Sequence, residues 1–233
     1  MSRQLLRTGL GLSKRKRLPL IILYLPGDAK SRYYFWQIRK YFRELHALQQ
    51  HGDIMGYATD LGLHFTTNTW LNIAGEWSAW IKCYTPSLPF TKDSLVLDAG
   101  AGEGETVFFF YMLGFRRFRC IELNPEKFRI LETNTQVLRD AGCELENRPF
   151  TAYDVIGVDF AKIDVEGGER ELLNLSPSTL PKEVVLETHG RETAEALRHH
   201  LRGMTHSMNW GKKDDVWGKE VDLWRFLNKE RSE

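Results

Sequence analysis

Two spacings of hydrophobic positions alternate along residues 94–227. Short, nearly continuous apolar runs fall at 95–97, 118–122, 143–150, 158–165 and 183–187, and each reads as a buried strand. Between them lie stretches with helical spacing at 105–113, 126–140 and 191–202, and a short helix carrying Leu172 and Leu173. Punctuation agrees with these assignments. Gly114 and Gly142 follow helices, Asn124 stands at an N-cap position with Pro125 in the first turn, and Pro181 precedes a strand. Strands at 205–209 and 221–227 complete the pattern as a terminal hairpin, with Trp210 and Trp217 flanking Lys212-Lys-Asp-Asp215 as a turn or lid between them. Strand and helix in regular alternation predict a parallel sheet with crossover helices on both faces.

The first 90 residues read differently. Tyr34, Ile38, Tyr41, Leu45 and Leu48 predict a helix over 31–50, capped by Ser31 and ended by Gly52. Leu61-Gly-Leu-His-Phe65 predicts a short hairpin strand, and 69–84 a helix with an aromatic face that includes Trp70, Trp77, Trp80 and Tyr84. Three regions follow: a basic tail over 1–30, a helical and aromatic cap over 31–90, and an α/β domain over 91–233.

Charge adds a polarity to this plan. Residues 1–50 contain eleven Lys or Arg against Asp28 and Glu44, a balance of +9; a total of +1 leaves −8 for the remaining 183. The run Lys14-Arg-Lys-Arg17 suits nucleic acid, an anionic membrane surface, or plain solvation. Three cysteines without paired or metal-ligand spacing imply reduced thiols and a cytoplasmic setting. The apolar run at 18–25, broken by Pro19, is far short of the roughly 20 residues that span a bilayer, so membrane contact is expected to be peripheral at most.

The stretch that carries chemistry is Leu95-Val-Leu-Asp-Ala-Gly-Ala-Gly-Glu-Gly-Glu-Thr106, an apolar strand running into glycines at 100, 102 and 104. Dinucleotide-binding turns use Gly-x-Gly-x-x-Gly around a pyrophosphate. Here the third glycine comes one residue early, and Asp98 precedes the first, where a carboxylate repels a pyrophosphate but attracts an ammonium. A second acid, Glu122, ends the next apolar run and offers two acceptors to a diol. S-adenosyl-L-methionine presents an ammonium, a sulfonium and a ribose diol, and fits both acids. Gly100, Ala101, Gly102 and Gly104 would bed its methionine part, Asp98 would take its ammonium through bound water or directly, and Glu122 with Leu123 and Asn124 would hold its ribose. Phe150, Thr151 and Ala152, with Tyr153 beyond them, would flank the adenine.

The glycine segment resembles motif I of the class I S-adenosylmethionine-dependent methyltransferases. With Glu122-Leu-Asn-Pro125, Ala161-Lys-Ile-Asp-Val-Glu-Gly-Gly-Glu169 and Leu186-Glu-Thr-His189, the chain resembles the FkbM family over about residues 94–190. Gly102 stands where that family usually has asparagine, Leu123 where proline is common, and Gly168 where alanine is common. The resemblance implies a Rossmann-like fold with a mostly parallel seven-stranded sheet and, here, an N-terminal helical extension. It also implies methyl transfer to a hydroxyl of a glycan, lipid or small molecule, leaving S-adenosyl-L-homocysteine.

A proton acceptor would assist such a transfer, and the ends of the fourth and fifth strands supply candidates. His189 stands first, because a neutral imidazole suits that task near pH 7; Asp164 and Glu166 follow, with Asp164 also placed to touch the cofactor. Asp164, Glu166 and Glu187 are oxygen ligands, but no spacing demands a metal and none is expected. Two other readings stand beside this one. An RNA methyltransferase would use the basic N-terminus as its nucleic-acid arm, although no Asn-Pro-Pro-Tyr or Asp-Pro-Pro-Tyr follows the fourth strand. A methyltransferase-like binding subunit would carry no activity at all. Oligomeric state is left open by the sequence.

Overall fold

A computed structural model describes residues 58, 60–209, 213–214 and 220–228. The tail over 1–30, the helix expected at 31–50 and most of the loop bearing Trp210 and Trp217 lie outside the described residues. The chain divides into two compact units, Met1–Ser78 and Ala79–Glu233.

In the first unit, residues 63–66 have no regular structure, so the strand expected at 61–65 is not formed. Its alternation is brief and interrupted by Gly62, whose φ of +83° turns the chain. Helix α1, Thr67–Cys83, follows and crosses the unit boundary. The Thr66 hydroxyl accepts from the Thr69 N–H at 3.4 Å and helps close its first turn.

The second unit is one mixed sheet. Its strands are β1 (Leu95–Ala99), β2 (Arg117–Ile121), β3 (Gly142–Glu146), β4 (Phe160–Ile163), β5 (Glu183–His189), β6 (Thr205–Asn209), β7 (Lys213–Asp214) and β8 (Glu220–Leu227). The order is β3-β2-β1-β4-β5-β8-β6, with the two-residue β7 added on β8. β3, β2, β1, β4 and β5 run parallel; β8 is antiparallel to β5 and β6. Eight strands are therefore counted among the described residues where seven were expected, the extra one being β7. This is a Rossmann-like sheet. The chain leaves β1 toward β2 on one side and returns to β4 on the other, which opens a crevice at their carboxyl ends.

Helix α2 (Glu105–Met112) is buried from Thr106 onward and apolar on every side over 107–112, as befits a helix inside the fold. Phe108, Phe109 and Phe110 are at most 1% exposed. Phe110 meets Phe160 of β4 edge-to-face at 5.3 Å, and Phe115 at 6.1 Å. Helix α3 (Pro125–Val137) starts as expected, with Asn124 accepting from the Glu126 and Lys127 N–H groups. It stops three residues before the expected end. Helix α4 (Arg191–His200) follows β5 directly.

At the opposite edge of the crevice strands, Glu183 is fully buried at the start of β5. It accepts from the Ser87 and Leu88 N–H groups at 2.9–3.0 Å and pairs with Arg225 of β8 at 2.9 Å. Arg225 also donates to the Cys83 and Thr85 carbonyls. These bonds tie the end of α1 to the sheet through charge-assisted contacts.

Candidate functional site

The glycine loop leaves β1 under steric compulsion. Gly100 has φ +75°, and a Cβ placed on it would stand 1.8 Å from the Asp164 carbonyl oxygen. Only glycine lets the loop press this close to the end of β4. The Gly100 and Ala101 N–H groups donate to the Ile121 carbonyl, so the loop is also tied to β2.

Beneath it lies a buried ion pair that the sequence reading missed. Asp98 and Lys162 are lateral neighbours in the β1–β4 register, and both are buried. Lys162 Nζ lies 3.1 Å from Asp98 Oδ1 and donates to the Gly100 carbonyl at 2.8 Å; Asp164 Oδ2 is 4.0 Å away. Burial alone would depress the Lys162 ammonium, but Asp98 and Asp164 overcome it and hold its pKa above the ordinary value. The other Asp98 oxygen accepts from the Thr106 hydroxyl. Asp98 thus has no exposed surface of its own in this structure. What it does is fix the loop.

Glu105 is a second residue whose place was not foreseen. Its carboxylate folds back over the loop, accepts from the Glu103 N–H at 2.8 Å, and stands 2.5 Å from where a Cβ of Gly102 would be. Burial pushes its pKa up to about 7, against the opposing pull of backbone N–H groups and Lys162.

Glu122 follows β2 and is nearly buried, with both oxygens engaged. Oε2 accepts from the Gly102 N–H at 2.8 Å and Oε1 from the Asn124 N–H at 2.7 Å. Each oxygen keeps a second lone pair. The Asn124 side chain is committed to capping α3, so it contributes its backbone rather than its amide. Leu123 beside it is 64% exposed.

Phe150 and Ala152 are buried, with Phe150 in the main core. Thr151 is occupied with Asp154, which accepts from its N–H at 2.7 Å. Tyr153, 74% exposed, and Leu123 are open apolar side chains beyond the ends of the adjacent strands β3 and β2.

At the ends of β4 and β5 the structure gathers Asp164, Glu187 and His189. His189 Nε2 lies 3.9 Å from Asp164 Oδ1 and 3.9 Å from Glu187 Oε1. Its Nδ1 faces Glu169 Oε1 at 3.5 Å. Glu169 is fully buried and accepts from the Gly167 and His189 N–H groups at 2.6 Å each, which hold it ionised despite burial. Burial pulls the His189 pKa down, but Glu169, Asp164 and Glu187 more than offset it and raise it above the ordinary value. The imidazole is therefore less readily neutral near pH 7 than its sequence reading assumed. Glu166 is exposed and lies outside this convergence, with a strained φ of +49° in the turn after β4.

No known family's sequence pattern matches this chain, and no curated protein does. Solved structures with a similar course of chain include a precorrin-6y C5,15-methyltransferase from Geobacter metallireducens and a fibrillarin from Aeropyrum pernix in complex with S-adenosyl-L-methionine. The first is 18% identical, covering 59% of this chain and 82% of the other, with a TM-score of 0.45. The second is 15% identical, covering 65% and 74%, with a TM-score of 0.48. Similarity at this level is of fold alone.

Proposed function

We propose that this protein is an S-adenosyl-L-methionine-dependent methyltransferase that methylates a hydroxyl of a glycan, lipid or small-molecule metabolite. The observation that carries the reading is Glu122. A carboxylate gripped by two backbone N–H groups beside a glycine loop is a preorganised acceptor for a ribose diol. The crevice residues fit the rest of the cofactor. Gly100 leaves no room for a side chain against the Asp164 carbonyl, Gly102 and Gly104 none against Glu105 and Leu131, and Leu123 with Tyr153 offers apolar surface to an adenine.

When bound, the cofactor supplies a methyl group on a sulfonium, which is already a strong donor. The chain's own task is then alignment, because in-line displacement gains most from proximity and orientation. Asp98 and Lys162 hold the loop against β4, and Glu122 fixes the ribose. Asp164, whose carbonyl oxygen lies against Gly100, and His189, 3.9 Å from the Asp164 carboxylate, are assigned to the acceptor hydroxyl, with one orienting it and the other taking its proton. Glu166 has no part in this assignment, since its side chain points into solvent.

Labelled S-adenosyl-L-methionine and a cell extract separated into glycan, lipid, small-molecule, RNA and protein fractions test the proposal. Label in the first three, lost with Glu122→Ala and His189→Ala, supports it. Label in RNA would replace it with the nucleic-acid reading and make the basic first 50 residues the binding arm. A salt-dependent RNA affinity would accompany that result.

A further inference from the structure

We propose that the Glu105 carboxylate receives the ammonium of the cofactor's methionine end. On the methyltransferase reading, which this assignment requires, Glu122 is committed to the ribose and a second acceptor must meet that ammonium.

Glu105 is the residue at which the glycine loop becomes α2, yet its side chain turns back along the loop. Oε2 accepts from the Glu103 N–H at 2.8 Å, and the two oxygens lie 2.5 and 2.7 Å from where a Cβ of Gly102 would stand. Glu122 reaches the same glycine through its N–H. Gly102 is thus touched by two carboxylates, one from the end of β2 and one from the start of α2. A ligand with a diol and an ammonium on one flexible frame matches that pair. A side chain at Gly102 would displace the Glu105 member of it, which gives this glycine a role of its own.

The state of each acid's charge separates their roles. Asp98 is already matched by Lys162 at 3.1 Å, and Lys162 also donates to the Gly100 carbonyl. Both oxygens of Glu122 accept from backbone N–H groups. Glu105 has no ion pair of its own among the described residues. Of the charged side chains acting on it, Lys162 of β4 is taken by Asp98, and Asp98 of β1 repels it. Glu103 beside it in the loop is buried too. The result is a carboxyl whose pKa burial lifts to about 7. An arriving ammonium supplies the missing counter-charge, favours the ionised form, and sends the carboxyl proton to solvent.

Calorimetry on the full-length protein with three ligands tests this. S-adenosyl-L-homocysteine keeps the ammonium of S-adenosyl-L-methionine without its sulfonium charge, and 5′-methylthioadenosine lacks the amino acid altogether. Affinity for S-adenosyl-L-methionine should rise about tenfold from pH 5.5 to pH 7, a range in which an α-amino group of pKa about 7.7–8.0 stays charged. At pH 6.5, titrations in buffers of different ionisation enthalpy should show release of about 0.7 of a proton per cofactor. Glu105→Gln still accepts from the Glu103 N–H. At pH 7 it should bind both amino-acid ligands about tenfold more weakly, with a flatter pH profile, and bind 5′-methylthioadenosine as the wild type does. Unchanged affinity for S-adenosyl-L-methionine in Glu105→Gln, shown to be folded by circular dichroism, would overturn the assignment. So would an equal loss for 5′-methylthioadenosine, which would make Glu105 a determinant of loop shape alone. Failure of the folded wild type to bind any of the three would instead remove the methyltransferase reading, and this assignment with it.

Discussion

Replacing Lys162 with methionine keeps the length and apolar stem of the side chain and deletes its ammonium. Asp98, with no exposed surface, would then retain the Thr106 hydroxyl but lose its counter-charge at 3.1 Å. The Gly100 carbonyl would lose its donor as well. Breaking a buried pair by removing one partner costs about 3–5 kcal/mol. Against a total stability of roughly 5–15 kcal/mol, that is a large share. Urea unfolding followed by circular dichroism should show the midpoint falling by about 1–2 M with an unchanged slope, taking m near 2–3 kcal/mol/M. The double variant Asp98→Asn/Lys162→Met removes both charges and leaves a group that still accepts from Thr106. It should recover most of the loss and lie within about 2 kcal/mol of the wild type, since neutral replacement of a buried pair is often tolerated. A single variant within 1 kcal/mol of the wild type, or a double variant as unstable as the single, would refute the pairing that anchors the loop.

Three further outcomes follow from the glycine loop and from Leu123 after β2. Gly100→Ala, which drives a Cβ to 1.8 Å from the Asp164 carbonyl at φ +75°, should abolish cofactor binding in calorimetry, because backbone must move to accept it. Glu105 has its folded pKa raised from 4.5 to about 7, so the folded state binds the extra proton and stability should fall as pH rises from about 4.5 to about 7. That difference corresponds to at most about 3 kcal/mol, reduced by the solvent that reaches this half-buried carboxyl. Urea midpoints across pH 5–8 should show the decline in the wild type and a flatter profile in Glu105→Gln. Leu123→Ser removes a side chain 64% exposed, so unfolding should be unaffected while cofactor affinity drops about tenfold, the equivalent of about 1.4 kcal/mol of apolar contact.

Much of this site was legible in the sequence because its features are local. The run from Leu95 to Gly104 specifies strand, turn and helix start within ten residues, and Asn124-Pro125 announces α3 equally plainly. Acids and a histidine at strand ends could be placed on one crevice because parallel strands align their carboxyl ends. What could not be read depends on pairing between distant segments. Lys162 looks like a strand residue until the register sets it beside Asp98. Glu169 reads as a helix-start acid until β5 brings the His189 N–H to it. Glu105 turns back against the direction its helix suggests, to the Glu103 N–H. Phe150 and Ala152 follow β3 as expected but face the core, an orientation that spacing beyond a strand end does not determine.

The central claim, that the glycine loop and Glu122 form an S-adenosyl-L-methionine site, is tested most directly by calorimetric titration of that cofactor into the wild type and Glu122→Ala. The account predicts one cofactor per chain in the wild type. Loss of two charge-assisted hydrogen bonds, each worth about 1.5–3 kcal/mol, predicts affinity at least a hundredfold weaker in the variant. No binding by the folded wild type, or equal affinity in folded Glu122→Ala, would contradict it.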